Sequence, residues 1–194
     1  MSRTSVVLLS GGLDSCVVAA QALAEGDVLH GVVVDYGQSH HTEVLAAVRI
    51  AQHMGFECRV VSISRTAFGG VGVAGAYSEG AGYVPARNTV LIALAVSVAE
   101  QVGASRVLIG CNADDFADYP DCRPAYLDSW AHVAPDVHVE APLVHLTKAN
   151  VIRLGRALSA PLDMTVSCYR GADCGVCNAC VLRQRAFAEG EVDV

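Results

Sequence analysis

Four short runs of apolar, mostly β-branched residues recur along the chain almost without polar interruption: SVVLL (5–9), VLHGVVVDYG (28–37), CRVVSI (58–63) and RVLIG (106–110). A strand with one wet face alternates apolar and polar side chains, so runs like these need cover on both faces. Between them lie longer stretches with apolar residues at helical spacing. Residues 13–24 form one. Residues 41–54 form another, with Val44, Leu45, Val48 and Ala51 on one side. A third starts near Pro85 and stops at Gly103. Further helices are expected over 124–134, from Thr147 as cap through Leu158 and ending before Pro161, and over 178–189. Strands alternating with helices define an α/β fold, a Rossmann-like parallel sheet with helices on both faces. Residues 68–82 hold six glycines and fit no regular element; they read equally as a lid over a site or as a surface insertion.

Composition narrows the function. Hydrophobic residues make up 53% of the 194, enough for one domain with a substantial core. The net charge is −7 with only 13 Lys and Arg, which disfavours a nucleic-acid partner. No apolar run reaches the ~18 residues of a membrane span. The N-terminal MSRTS runs straight into a strand, with no signal-peptide pattern, so the cytoplasm is expected.

The first strand run ends in SGGLDS (10–15). Parallel sheets bind ligands at the carboxyl ends of their strands. Glycines there let backbone N–H groups turn inward, and the helix that follows aims its positive end at the same point. Ser10 and Ser15 add hydroxyls. The turn therefore suits an anion with several oxygens, such as a pyrophosphate. Asp14 opposes that anion unless a divalent cation, Mg²⁺ beside phosphates, lies between them. The turn is neither a Walker loop nor a dinucleotide loop.

The tail carries Cys168, Cys174, Cys177 and Cys180 within thirteen residues. Four thiolates so spaced suit one tetrahedral zinc with a closed shell, a structural clamp that folds the tail. Disulfides and an iron–sulfur cluster are the rivals, although the spacing is not that of a bacterial ferredoxin.

SGGLDS after an apolar first strand resembles the PP-loop of the adenine nucleotide α-hydrolase-like ATP pyrophosphatases. Together with VDYGQSHHTE, VPARN, DYPDCR, PLVHLTK and the cysteine tail, taken in order, it makes the chain resemble the 7-cyano-7-deazaguanine synthase family. The resemblance implies a nucleotide-binding α/β domain over 1–160 and a zinc-binding subdomain over 161–194 packed on it as one unit. It implies an ATP-dependent C–N ligase of queuosine biosynthesis that turns 7-carboxy-7-deazaguanine and ammonia into 7-cyano-7-deazaguanine (preQ0). The carboxylate is activated by ATP and passes through an amide. Cofactors are then ATP, Mg²⁺ and one zinc, with no nucleic-acid or membrane partner and a homodimeric assembly.

Site residues follow by position. ATP is expected against Leu8, Leu9, Ser10, Gly11, Gly12, Leu13, Asp14, Ser15 and Cys16, and against Asp35, Tyr36 and Gly37 at the end of the second strand. Asp14, Arg87, Asp121 and Lys148 are expected in catalysis, and Asn88, Asp118, Tyr119 and Arg123 against the substrate. A cap or turn role is the alternative for Asp35. Two other functions stay open. One is a PP-loop ligase acting on tRNA or another macromolecule. The other is a non-enzymatic zinc-ribbon module that binds nucleic acid through Arg183 and Arg185.

Overall fold

The computed structural model describes residues 2–37, 42–68, 84–115, 119–168 and 173–191. Five parallel strands form one sheet: β1 (Thr4–Leu8), β2 (Val28–Asp35), β3 (Glu57–Ser62), β4 (Arg106–Leu108) and β5 (His138–Glu140). Their spatial order is β3-β2-β1-β4-β5. The chain builds outward from β1 to β3, then returns past β1 to lay down β4 and β5. The direction of winding reverses between β1 and β4, and the crevice at their carboxyl ends is where such sheets hold ligands.

Seven α-helices accompany the sheet among the described residues: α1 (Leu13–Ala24), α2 (Thr42–Met54), α3 (Arg87–Val102), α4 (Pro124–Asp128), α5 (Trp130–Val133), α6 (Lys148–Ala157) and α7 (Asn178–Glu191). Alternate strand residues serve the two faces. Val6, Leu8, Val32 and Val34 pack with Ile92 and Ala95 of α3 and with Leu127 and Trp130. Val7, Leu9 and Val33 pack with Val17 and Val18 of α1, Ile50 of α2, Ile152 of α6 and Ala186 of α7. Helices thus cover both faces of the parallel sheet. No helix among the described residues is long and apolar enough to cross a membrane.

Three expectations need correction. β5 has no counterpart among the four apolar runs, because it is a three-residue edge strand whose sequence, HVE, carries no run; its place is set by pairing, Val107 against Val139. The single helix expected over 124–134 is two, α4 and α5, meeting at Ser129. There the Ser129 hydroxyl donates back to the Tyr126 carbonyl at 2.6 Å and competes with the helical ladder. Leu45 is 60% exposed, since the buried stripe of α2 runs through Val44, Ala47, Ile50 and Ala51, and Leu45 lies on the opposite side of the turn. Of the glycine-rich stretch 68–82, only Phe68 is among the described residues, packed edge-on against Tyr36 with ring centroids 5.4 Å apart.

At the amino ends of the strands, away from the crevice, an ion network ties the sheet together. Arg106 donates to Asp27 at 3.2 Å, to Glu25 at 3.1 Å and to Glu140 at 2.8 Å. Asp27 also accepts from the Ser5 hydroxyl at 2.6 Å and from Arg3 at 3.0 Å. Both Arg106 and Asp27 are buried, so each charge depends on the other for the solvation it has lost.

Candidate nucleotide site and cysteine centre

A cavity of about 320 Å³ opens at the carboxyl ends of β1, β2 and β4. Its wall takes Leu8, Leu9, Ser10, Gly12, Asp14 and Ser15 from the first turn, and Tyr36 from the second. Arg87 and Asn88 come from the start of α3, and Tyr119 from the segment before α4.

The turn is built for this position. The Ser10 hydroxyl accepts from the Gly12 N–H at 3.2 Å and lies 3.0 Å from the Ser15 hydroxyl, which donates to the Gly12 carbonyl at 3.1 Å. Gly12 caps α1 without a side chain, so no side-chain cap takes up the first-turn N–H donors, and Gly12, Asp14 and Ser15 line the crevice. Gly11 has φ +80°, and a Cβ there would stand 2.2 Å from the Glu43 backbone oxygen. Only glycine lets the turn pass that close to α2. Gly110, just past β4, lets the chain pass equally close to the start of α1, for a Cβ would lie 2.8 Å from the Ser15 nitrogen.

Asp14 stands in the first turn of α1, and its Oδ2 takes the Lys148 ammonium from the start of α6. Its Oδ1 is buried and has no hydrogen-bond partner among the described residues. An open carboxylate oxygen beside a phosphate-sized anion site is what a divalent cation needs. Lys148 is further fixed through its backbone N–H, which Asp114 Oδ2 accepts at 2.9 Å.

Not every expected residue reaches the wall. Leu13 and Cys16 face the core, with Cys16 Sγ 4.0 Å from the Pro161 carbonyl and its thiol pushed up to about 12 by burial. Asp35 Oδ1 accepts the Gly37 N–H at 3.0 Å and closes the turn after β2. Asp121 is buried and accepts the Asn88 N–H at 3.1 Å, which caps the amino end of α3. Arg123 sits at the cap position of α4. Asp118 lies outside the described residues.

Two carboxylates absent from the expected set do line the cavity: Glu43 in the first turn of α2, and Asp115 past β4. Burial pushes Glu43 up to about 7 against the pull of Arg87. Burial also pushes Asp115 up to about 6; the Asn112 N–H opposes the shift and Asp14 adds to it. The sequence held one signal for Asp115, its place just past a strand's carboxyl end in GCNADD. Glu43 looked like an ordinary first-turn acid.

The Glu43 shift has a thermodynamic consequence. The unfolded chain releases this proton near the ordinary 4.5, while the native state holds it to about 7. Native stability therefore falls as pH rises through that window. Glu43→Gln is expected to raise the melting temperature at pH 8 and to leave it unchanged at pH 4, read by scanning calorimetry at both.

The cysteine centre lies at the start of α7. The Sγ atoms of Cys168, Cys174, Cys177 and Cys180 all lie within 4.8 Å of one another, and Cys174 and Cys180 are 4.0 Å apart. Backbone N–H groups of Val176 and Cys177 point at Cys174 and pull its thiol down to about 6. The group can hold a metal ion.

Sheet order, turn and crevice together define an adenine nucleotide α-hydrolase-like protein with a PP-loop. Among solved structures, the U34-tRNA thiolase NcsA from Methanococcus maripaludis, with its [4Fe-4S] cluster, shares the fold at a TM-score of 0.58 and 19% identity. The match covers 96% of this chain and 65% of the thiolase. The chain belongs to the family of the queuosine biosynthesis protein QueC, whose family model matches residues 4–191. The 7-cyano-7-deazaguanine synthase of Anaeromyxobacter dehalogenans (strain 2CP-C) is 43% identical over 219 residues, covering 98% of this chain and 94% of the relative. That of Coxiella burnetii (strain RSA 493 / Nine Mile phase I) is 39% identical over 215 residues, covering 98% and 95%. Both alignments are longer than this chain's 194 residues, so the relatives carry insertions that it lacks.

Proposed function

We propose that this chain is an ATP-dependent ligase that makes 7-cyano-7-deazaguanine from 7-carboxy-7-deazaguanine and ammonia. The observation that carries the reading is the PP-loop crevice in a chain matched over nearly its whole length by synthases of that name. A carboxylate is a poor electrophile, and ATP turns one of its oxygens into a leaving group. The substrate carboxylate attacks the α-phosphorus, and pyrophosphate leaves with the bonding pair. Ammonia adds at the acyl carbon, and AMP and a proton depart to give the amide. A second activation, at the amide oxygen, followed by loss of AMP and a proton, gives the nitrile.

In this reading the first-turn amides and the Ser10 and Ser15 hydroxyls hold the departing pyrophosphate. Charge is then stabilised by groups already in place before the reaction. Lys148 and Arg87 add positive charge, and Asn88 and Tyr119 face the deazaguanine. Mg²⁺ fits at the open Asp14 Oδ1, where it would neutralise phosphate charge. Zinc fits the four cysteines. Sulfurs about 2.3 Å from one shared tetrahedral ion stand about 3.8 Å apart. A four-iron cluster, with each sulfur on a different iron, spreads its ligands more widely, so sulfurs within 4.8 Å favour a single ion.

The test is mass spectrometry of products formed from ATP and 7-carboxy-7-deazaguanine, with and without ammonia. Nitrile formed only with ammonia supports the reading, and no nitrile in either arm overturns it. Asp14→Ala is expected to keep the fold and the cysteine-bound metal while turnover falls at least about 100-fold, roughly 2.7 kcal/mol of transition-state stabilisation.

A further inference from the structure

The Gly11 carbonyl of the nucleotide loop is not left to solvent: it accepts the Val166 N–H at 2.9 Å. Val166 lies in the extended lead-in to Cys168, and that lead-in is itself held from α7. Arg183 donates to the Thr165 hydroxyl at 2.7 Å, to the Ser167 hydroxyl at 3.2 Å and to the Leu162 carbonyl at 2.9 Å. Thr165 completes the arrangement by donating to the same Leu162 carbonyl at 2.6 Å. The Phe187 ring covers the guanidinium, with Arg183 Cζ 4.9 Å from its centroid.

We propose that Arg183 is a positioning residue for the nucleotide loop: it fixes residues 162–167 and, through Val166, the carbonyl of Gly11. Three features carry this. A guanidinium half drawn out of water is costly unless its donors are filled, and among the described residues its three hydrogen bonds go to neutral oxygens of one short segment. That segment makes a backbone hydrogen bond to the loop, at the glycine whose conformation no other residue can take up without strain. Arg183 follows Cys180 by less than one helical turn, so an ion on the cysteines fixes the helix end from which it reaches. A planar fork spans Thr165, Ser167 and Leu162 together, whereas a lysine ammonium on a single stem cannot match all three. The rival reading of Arg183 as a nucleic-acid contact does not fit a side chain turned inward on its own chain.

The consequence for nucleotide affinity rests on the function proposed above, but the link between Arg183 and the loop does not. The test uses the full chain with its metal, as wild type, Arg183→Ala and Arg183→Lys. Amide exchange by NMR in the absence of nucleotide reads the Val166 N–H directly. In Arg183→Ala it is expected to exchange at least about tenfold faster, with α6 and the sheet unchanged. The dissociation constant of a non-hydrolysable ATP analogue with Mg²⁺ rises about tenfold, and one metal ion per chain is retained. Millimolar guanidinium restores both values in Arg183→Ala and does nothing to wild type. Arg183→Lys falls between; it carries the same measurements should the alanine variant not fold. Wild-type exchange at Val166, or acceleration spread evenly over the whole protein, overturns the proposal. Failure of wild type to bind the analogue counts against the nucleotide reading, while exchange at Val166 still decides the link.

Discussion

Gly11→Ala is expected to lower turnover at least about 100-fold while the sheet still folds, a loss of roughly 2.7 kcal/mol. Two effects add. An L-residue in the left-handed region costs about 1–2 kcal/mol. The new methyl would also stand 2.2 Å from the Glu43 backbone oxygen. That oxygen belongs to a helix whose buried face is packed into the core, so the loop moves rather than α2. Moving it turns the first-turn amides away from the crevice and breaks the hydrogen bond from Val166. Gly26→Ala is the control. Its φ of +86° carries a similar backbone penalty, but nothing lies within 4 Å of the added Cβ. It should lose about 1 kcal/mol of stability and no turnover per folded molecule. Equal loss of turnover in both variants would mean that backbone strain, not the approach to α2, limits the site.

Arg106→Ala is expected to remove about 3 kcal/mol of stability, with a melting temperature lower by about 6–12 °C. The variant strips Asp27 of a buried partner. Arg3 remains, but it is 46% exposed and holds Asp27 through a single contact. The Asp27 side chain is 2% exposed, so its charge cannot recover solvation from water. Chemical denaturation of Arg106→Met separates charge from packing, because methionine keeps much of the apolar stem. Its loss should match that of alanine, and the double variant Arg106→Met, Asp27→Asn should regain much of it. Nucleotide affinity should stay at the wild-type value in all three, since the network lies at the far end of the sheet from the crevice. A double variant no more stable than the single one would show that packing, not the stranded carboxylate, carries the effect.

What could be read from the sequence, and what could not, divides along physical lines. The four apolar runs specify a sheet covered on both faces, because such strands have no wet side to offer. The turn at 10–15 was readable as a wall of the crevice because glycines, hydroxyls and a helix start coincide after a strand. The cysteine group was readable from spacing, since four ligands on one ion must be near one another in space. β5 was not readable: three residues carry no period, and their place depends on pairing with β4. Nor was the place of Glu43, which looks like an ordinary acid near a helix start, or the contact made by Asp121, which was expected in catalysis. Glu43 is half-buried in the crevice facing Arg87, and Asp121 is turned onto the Asn88 backbone. Both partners are remote in sequence. Arg183 shows the same limit, for nothing in the order of residues says that a basic side chain after four cysteines turns inward.

The tie between Gly11 and Val166 also bears on how a working molecule is born. A ribosome delivers the first strand and its turn early and the segment that secures them late, and contacts between distant parts of a chain form slowly. A growing chain therefore carries all five strands of the sheet before Val166 emerges, and the Gly11 carbonyl goes unanchored until that later segment arrives.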